Sequence, residues 1–88
     1  MLIDIRKLND NTFEATVNAE VETRHKVTLD DDYYYKLTNE EITKEALIEK
    51  SFEFLLERED NTMILRQFDL PIIQTYFPEY EPLMRRLV

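Results

Sequence analysis

The spacing of hydrophobic residues changes once along this chain, near residue 30. Before that point apolar and polar residues alternate, and one parity holds Phe13, Ala15, Val17, Ala19, Val21, Val27 and Leu29. This period of two is typical of antiparallel strands with one buried face. Beyond residue 30 the apolar residues recur at the helical period of 3.6. Strands followed by helices in one short chain predict an α+β fold.

A three-stranded antiparallel meander is predicted for the first third of the chain. Residues 2–8 form the first strand, and the Asn-Asp-Asn segment at 9–11 supplies a tight turn. The alternation runs unbroken through residues 18–23, so residues 12–29 form either one long bent strand or two strands. We favour two strands, joined at residues 18–20.

The rest of the chain, residues 30–88, is predicted to be helical. One of the aspartates at 30–32 caps a short helix that ends near Asn39, and Thr43 caps the main helix, which runs from about residue 44 to 58. Short helices follow. Asn61 or Thr62 caps a turn through Leu65, Asp69 caps a second helix, and a last helix runs from about Pro82 to Leu87.

These helices are expected to cover one face of the meander, so that residues 1–88 form a single domain around one core. The helical side of that core is predicted to comprise Leu47, Phe52, Leu55, Ile64, Leu65, Phe68, Ile72, Ile73 and Phe77. Its strand side is predicted to comprise Phe13, Val17, Val27 and Leu29.

Negative charge is concentrated in the middle of the sequence. The net charge is −8, and residues 30–60 hold eleven acidic and four basic side chains. Within the main helix, Glu45, Glu49, Glu53 and Glu57 recur every four residues and form one line of carboxylates, the acidic stripe, with about 6 Å between neighbours. The acidic stripe is either a solvated outer face or a docking surface for a basic partner. Direct binding to nucleic acid is disfavoured, because phosphates need cationic contacts.

Aromatic residues form two groups, at 33–35 and at 76–80. Most are expected to cover the core, and the remainder would form a recognition patch, since tyrosine offers a large rigid contact area. Tyr34 and Tyr80 are the candidates for such contacts.

Chemistry-bearing motifs are absent from the sequence. It has one histidine, His25, one serine, Ser51, and neither cysteine nor glycine. This composition excludes the usual zinc sites, cysteine nucleophiles and glycine-rich phosphate loops. The parity of His25 points it toward the core, where a satisfied structural role is expected. We therefore predict no catalytic residue, no metal site and no cofactor.

The compartment predicted by default is the cytoplasm. A small chain without cysteine has no disulfide framework, residues 1–8 do not have the pattern of a signal peptide, and no apolar run approaches the roughly 20 residues of a membrane span.

The segment SFEFLLERE at 51–59, followed by ILRQFDLPII at 64–73 and YFPEYE at 76–81, resembles a group of short bacterial proteins that end in such a segment after a strand-rich start. The resemblance implies a bacterial source and a small independently folding protein. It implies no activity, cofactor or catalytic residue.

Three functional hypotheses follow from these observations. The first is a non-enzymatic interaction module, accessory or antitoxin-like, whose acidic stripe binds a basic protein. The second is an acidic mimic of nucleic acid that inhibits a DNA- or RNA-binding protein, and the third is an enzyme. The chain is expected to be a monomer, or a homodimer that pairs through the exposed edge of the first strand.

Overall fold

The structure, a computed structural model, describes residues 2–87. Its strands are β1 (Leu2–Asn9), β2 (Thr12–Asn18), β3 (Thr23–Thr28) and β4 (Gln67–Asp69). Its helices are α1 (Asp31–Thr38), α2 (Lys44–Leu56), α3 (Ile72–Tyr76) and α4 (Tyr80–Arg86), with a 3₁₀ turn at Asn61–Met63. The predicted α+β class is confirmed.

The sheet has four strands in the order β1-β2-β3-β4, which corrects the predicted three. The first two pairings are antiparallel, whereas β4 lies parallel to β3, with Val27 beside Phe68. Two backbone hydrogen bonds flank this short pairing, from Lys26 N to the Arg66 carbonyl (2.8 Å) and from Leu70 N to the Thr28 carbonyl (2.9 Å). Without β4, the backbone groups along this side of β3 would need another partner.

Residues 12–29 form two strands, as favoured from the sequence. The chain leaves the sheet after Asn18 and returns at Thr23, and Val21 in the connection is 57% exposed in spite of its apolar parity. In β3 the alternation resumes with Thr23, His25 and Val27 buried. Two of these three are polar, so this strand carries polar groups into the core.

The caps of the two long helices are those predicted. Asp30 accepts a hydrogen bond from Tyr33 N (2.8 Å), and α1 ends at Asn39 in the left-handed conformation. The Thr43 hydroxyl accepts from Ala46 N (3.1 Å) at the start of α2. The last helical residue of α2 is Leu56, two residues before the predicted end.

The later boundaries differ from prediction. Asp60 caps the 3₁₀ turn through Thr62 N (3.2 Å), while the Asn61 side chain is buried. Asp69 lies in β4, so α3 begins at Ile72 instead, and α4 begins at Tyr80, two residues early. Each element here is seven residues or shorter. In elements this short, the spacing of hydrophobic residues does not determine which face of the element is buried.

The core lies between the sheet and the helices and confirms most of the predicted set. Its buried apolar residues are Phe13, Ala15, Val17, Val27, Leu29, Tyr33, Leu37, Leu47, Ile48, Phe52, Phe54, Leu55, Ile64, Phe68, Leu70, Ile73, Tyr80 and Met84. Phe77 is partly buried against them. Leu65 and Ile72 were predicted wrongly, since they are 49% and 37% exposed. In the part of the chain that the structure describes, no helix has the length and apolarity to cross a bilayer.

Phe52 occupies the centre of this core. It is fully buried, and its ring centroid lies 5.3 Å from that of His25 and 6.1 Å from that of Phe68. We expect Phe52→Ala to lower the free energy of unfolding by about 3–5 kcal/mol, because it leaves a cavity. Leu65→Ala, at a half-exposed position, should cost less than about 1 kcal/mol. Urea denaturation measures both, and equal losses would contradict the placement of the core.

Candidate functional site

An apolar groove of about 270 Å³ lies at the C-terminal end of α2. It is lined by side chains from α2, the 3₁₀ turn, β4 and α3, namely Leu55, Glu59, Met63, Ile64, Leu65, Phe68, Ile72, Ile73, Tyr76 and Phe77. Consecutive short elements within residues 55–77 therefore contribute to one concave surface, which we call the groove.

Large apolar side chains of the groove reach solvent. Met63 is 70% exposed, Tyr76 65% and Leu65 49%, while Ile64, Phe68 and Ile73 beneath them are buried. Single exposed apolar residues are common on proteins, but several around one concavity mark a binding surface. The groove therefore has an apolar floor and an apolar rim.

A chain of buried hydrogen bonds holds the segment that forms the groove against β3. Asn61 Nδ2 donates to Thr23 Oγ1 (2.8 Å), and His25 bonds to Thr23 Oγ1 through Nε2 (2.8 Å) and to the Leu65 carbonyl through Nδ1 (2.7 Å). A second bond from Asn61 reaches the Val21 carbonyl (2.8 Å). We call this set the His25 relay. Its three side chains are each 1% exposed.

The partners fix the tautomer of His25. A carbonyl oxygen only accepts, so Nδ1 carries the proton, and Nε2 accepts from the Thr23 hydroxyl. Burial lowers the pKa of His25 below its ordinary 6.5 and the Arg66 cation lowers it further, whereas the bond to the Leu65 carbonyl acts in the opposite direction. The neutral ring is therefore the form that fits this site.

Glu59 is the charged residue in the wall of the groove. It is half-buried, and burial raises the pKa of its carboxyl group. Within residues 2–87 no salt bridge involves Glu59. The groove thus combines an apolar surface with a partly desolvated, uncompensated carboxylate, which favours a ligand that carries a cation beside apolar groups.

The acidic stripe lies outside the groove. Glu49, Glu53 and Glu57 are exposed, and Glu45 is half-buried. Among the residues described, only Glu57 of the four has a cation within 4 Å, the adjacent Arg58 at 3.4 Å. The guanidinium of Arg58 is mainly engaged elsewhere, 3.6 Å from the centre of the Phe54 ring and 3.1 Å from Glu79. Lys44 also leaves the stripe uncompensated, because its amine bonds to Asp31 (2.5 Å).

The two tyrosines predicted as contact residues are engaged inside the protein. Tyr80 is wrong as a surface candidate, since it is fully buried and its hydroxyl lies 2.6 Å from that of Ser51. It shares one face of α4 with Met84, a turn later, and that face meets the core. Tyr34 is half-buried and donates its hydroxyl to the Ile42 carbonyl. Tyr76, in the same sequence group as Tyr80, is the exposed member.

The side chains that a nucleophile and base would need, His25 and Ser51, are both hydrogen-bonded inside the protein. Among residues 2–87, no group of three or more histidine, cysteine, aspartate or glutamate side chains is placed to hold a metal ion. His25 is occupied at both ring nitrogens and does not line the groove, and the Ser51 hydroxyl donates to the Leu47 carbonyl within α2 (2.7 Å).

Comparisons with protein-family models, with curated proteins and with solved structures gave no match. The chemistry of the groove and of the acidic stripe is thus the basis for assigning a function.

The lowered pKa of His25 makes stability depend on pH. His25 binds a proton more readily in the unfolded chain than in the folded chain, so the full stabilising contribution of the relay is present above the unfolded pKa of about 6.5. This contribution is lost as the pH falls toward the lower pKa of the folded state. We expect the free energy of unfolding to decrease between pH 7.5 and 5.5 in urea titrations. His25→Gln should remove this part of the slope, and a variant with the same slope as the parent would contradict the assignment.

The hydroxyl of Thr23 is the centre of the relay. Thr23→Val keeps the shape of the side chain but leaves His25 Nε2 and one Asn61 N–H buried without a partner, which should cost roughly 1–3 kcal/mol. Thr16→Val, on the outward face of β2, should change stability by less than about 0.5 kcal/mol. Thermal denaturation compares the two, and a Thr23 variant as stable as the Thr16 variant would show that the relay contributes nothing.

Proposed function

We propose that this protein is a non-enzymatic interaction module that binds a basic, amphipathic segment of another protein. The observation that carries the proposal is the groove, in which exposed apolar side chains surround the uncompensated carboxylate of Glu59. The compartment we propose is the cytoplasm, which suits a chain without cysteine.

The apolar part of the groove favours a partner with bulky hydrophobic side chains. Its floor of Ile64, Phe68 and Ile73 is already packed into the core, so an inserted side chain meets a preformed surface. Tyr76 and Met63 at the rim offer contact area that is now in water. An amphipathic helix presents such side chains every three to four residues and inserts them into grooves of this kind.

The charge of the protein favours a partner that is also basic. Glu59 would pair with a cation next to the inserted apolar groups. The exposed carboxylates of the acidic stripe add a long-range attraction that speeds encounter with a positively charged chain. Salt screens this attraction over about 10 Å at 0.1 M, so binding should weaken as ionic strength rises.

A labelled synthetic peptide tests the proposal directly. We would use a peptide of leucine and lysine at helical spacing, with one apolar and one basic face, and follow fluorescence anisotropy. Binding should be stronger than that of a scrambled peptide of equal charge and should weaken between 50 and 300 mM salt. Equal affinity for the scrambled peptide would show that net charge alone accounts for binding and would overturn the groove as the site.

Matched variants locate the contact. Tyr76→Ser and Glu59→Gln should each weaken binding of the amphipathic peptide, whereas Tyr35→Ser, at a tyrosine of similar exposure on α1, should not. For the acidic stripe, Glu49→Lys/Glu53→Lys should reduce affinity more than the same charge change at Glu20 and Glu22.

The second hypothesis, an acidic mimic of nucleic acid, predicts a different property of the partner. A natural partner recovered by co-purification would then also bind an oligonucleotide, and that oligonucleotide would compete with this protein for it. A partner that binds both at once would contradict mimicry and leave the interaction module in place.

A further inference from the structure

Apart from the groove and the acidic stripe, the edge of β1 is a further unpartnered surface among the residues described. Within the described residues β1 pairs with β2 on one side only, and its eight residues end the sheet. The opposite edge, β4, has three residues. Long edge strands present a row of unpaired N–H and C=O groups and are commonly shortened, covered or paired.

The side chains of β1 also lack cover. Leu2 is 67% exposed and Leu8 42%, although both are apolar. Ile3 and Ile5, on the side of the sheet that faces the helices, pack against the core but remain partly exposed. Helix α2 contacts β1 but leaves these side chains partly exposed, so a further strand alongside β1 would bury apolar surface on both faces.

We propose that two copies of this chain associate through antiparallel pairing of β1 with β1, centred on Ile5. In this register Ile5 meets its own copy on the two-fold axis and Asp4 lies opposite Arg6 of the other copy. Leu2 lies near the end of the other copy's strand, where β1 has a bulge between Lys7 and Asn9. Ile3 lies opposite Lys7, whose amine is held 3.5 Å from Asp10 at the end of the strand. The two sheets become one sheet of eight strands with both helical layers on the same side.

The charge pattern selects this register over its neighbours. Pairing centred on Asp4 sets two aspartates against each other, and pairing centred on Arg6 sets two arginines against each other, both of which are unfavourable. A shift of the register by one residue would put the core-facing side chains of one copy beside the solvent-facing side chains of the other. Of these registers, only the one centred on Ile5 gives two Asp4–Arg6 pairs across a symmetric interface.

Sedimentation equilibrium between 5 and 200 µM tests for the dimer. Asp4→Arg should raise the dissociation constant of the dimer by about tenfold, since it turns two attractive pairs into repulsive ones. Arg6→Asp should also weaken the dimer, although it removes in addition the salt bridge of Arg6 to Glu14 of the same chain (3.2 Å). The double variant Asp4→Arg/Arg6→Asp should restore association. Glu22→Arg, which makes the same charge change as Asp4→Arg but away from β1, should leave association unchanged. A monomer at all concentrations, or singles that associate like the parent, would overturn the proposal.

Cysteine cross-linking tests the register independently of those charge variants. The chain has no cysteine, so a single introduced cysteine can form a disulfide only with another copy. Ile5→Cys should cross-link readily, because residue 5 meets itself at a distance suited to a disulfide. Ile3→Cys and Lys7→Cys should cross-link poorly, since each lies about 13 Å from its own copy in this register. Equal yields at positions 3, 5 and 7 would contradict the pairing.

Discussion

The His25 relay is the interaction on which the arrangement of the second half of the chain depends. It joins Thr23 and His25 of β3 to Asn61 and to the backbone at Leu65, about 40 residues later. Each buried donor and acceptor in this set has a partner, and such a satisfied network favours one arrangement of the chain over others. Once residues 61–65 are fixed, the backbone bonds around β4 can form beside β3 and Phe68 reaches the core. The groove is formed by this anchored segment and the end of α2.

Among the residues described, two apolar surfaces without partners, the groove and the edge of β1, lie at opposite ends of the strand order. Beyond β4, the turn after α2 and the helix α3 form the groove, with Glu59 in its wall. At the other edge, β1 presents Leu2 and Leu8 to water beside Asp4 and Arg6. Because the two surfaces share no residue, association of two copies would leave both grooves open. A dimer would then offer two binding sites to a partner and gain affinity for one that carries two basic segments.

Features that depend on local sequence were predicted well, and features that depend on distant contacts were not. The caps at Asp30 and Thr43 and the alternation in β2 are each set by residues within a few positions. The strand β4 has only three residues and pairs with β3, about 40 residues earlier in the chain, so no local pattern predicts it. The same limit explains the errors over Ile72 and Tyr80, which lie in short helices whose orientation is set by packing, and over Leu65, which lies in the loop between the 3₁₀ turn and β4. The acidic stripe could be predicted from residue spacing alone. The groove could not, because it depends on how the short elements within residues 55–77 pack together.

Nitrogen chemical shifts of the His25 ring test most directly whether the relay holds this segment in place. The chain has a single histidine, so the signals need no further assignment. We expect a protonated Nδ1 and an unprotonated Nε2 at pH 7, with Nδ1 exchanging slowly because its hydrogen bond to the Leu65 carbonyl is buried. A ring protonated at Nε2, or one that averages between tautomers as in an exposed histidine, would contradict the relay and the position of the groove that it anchors.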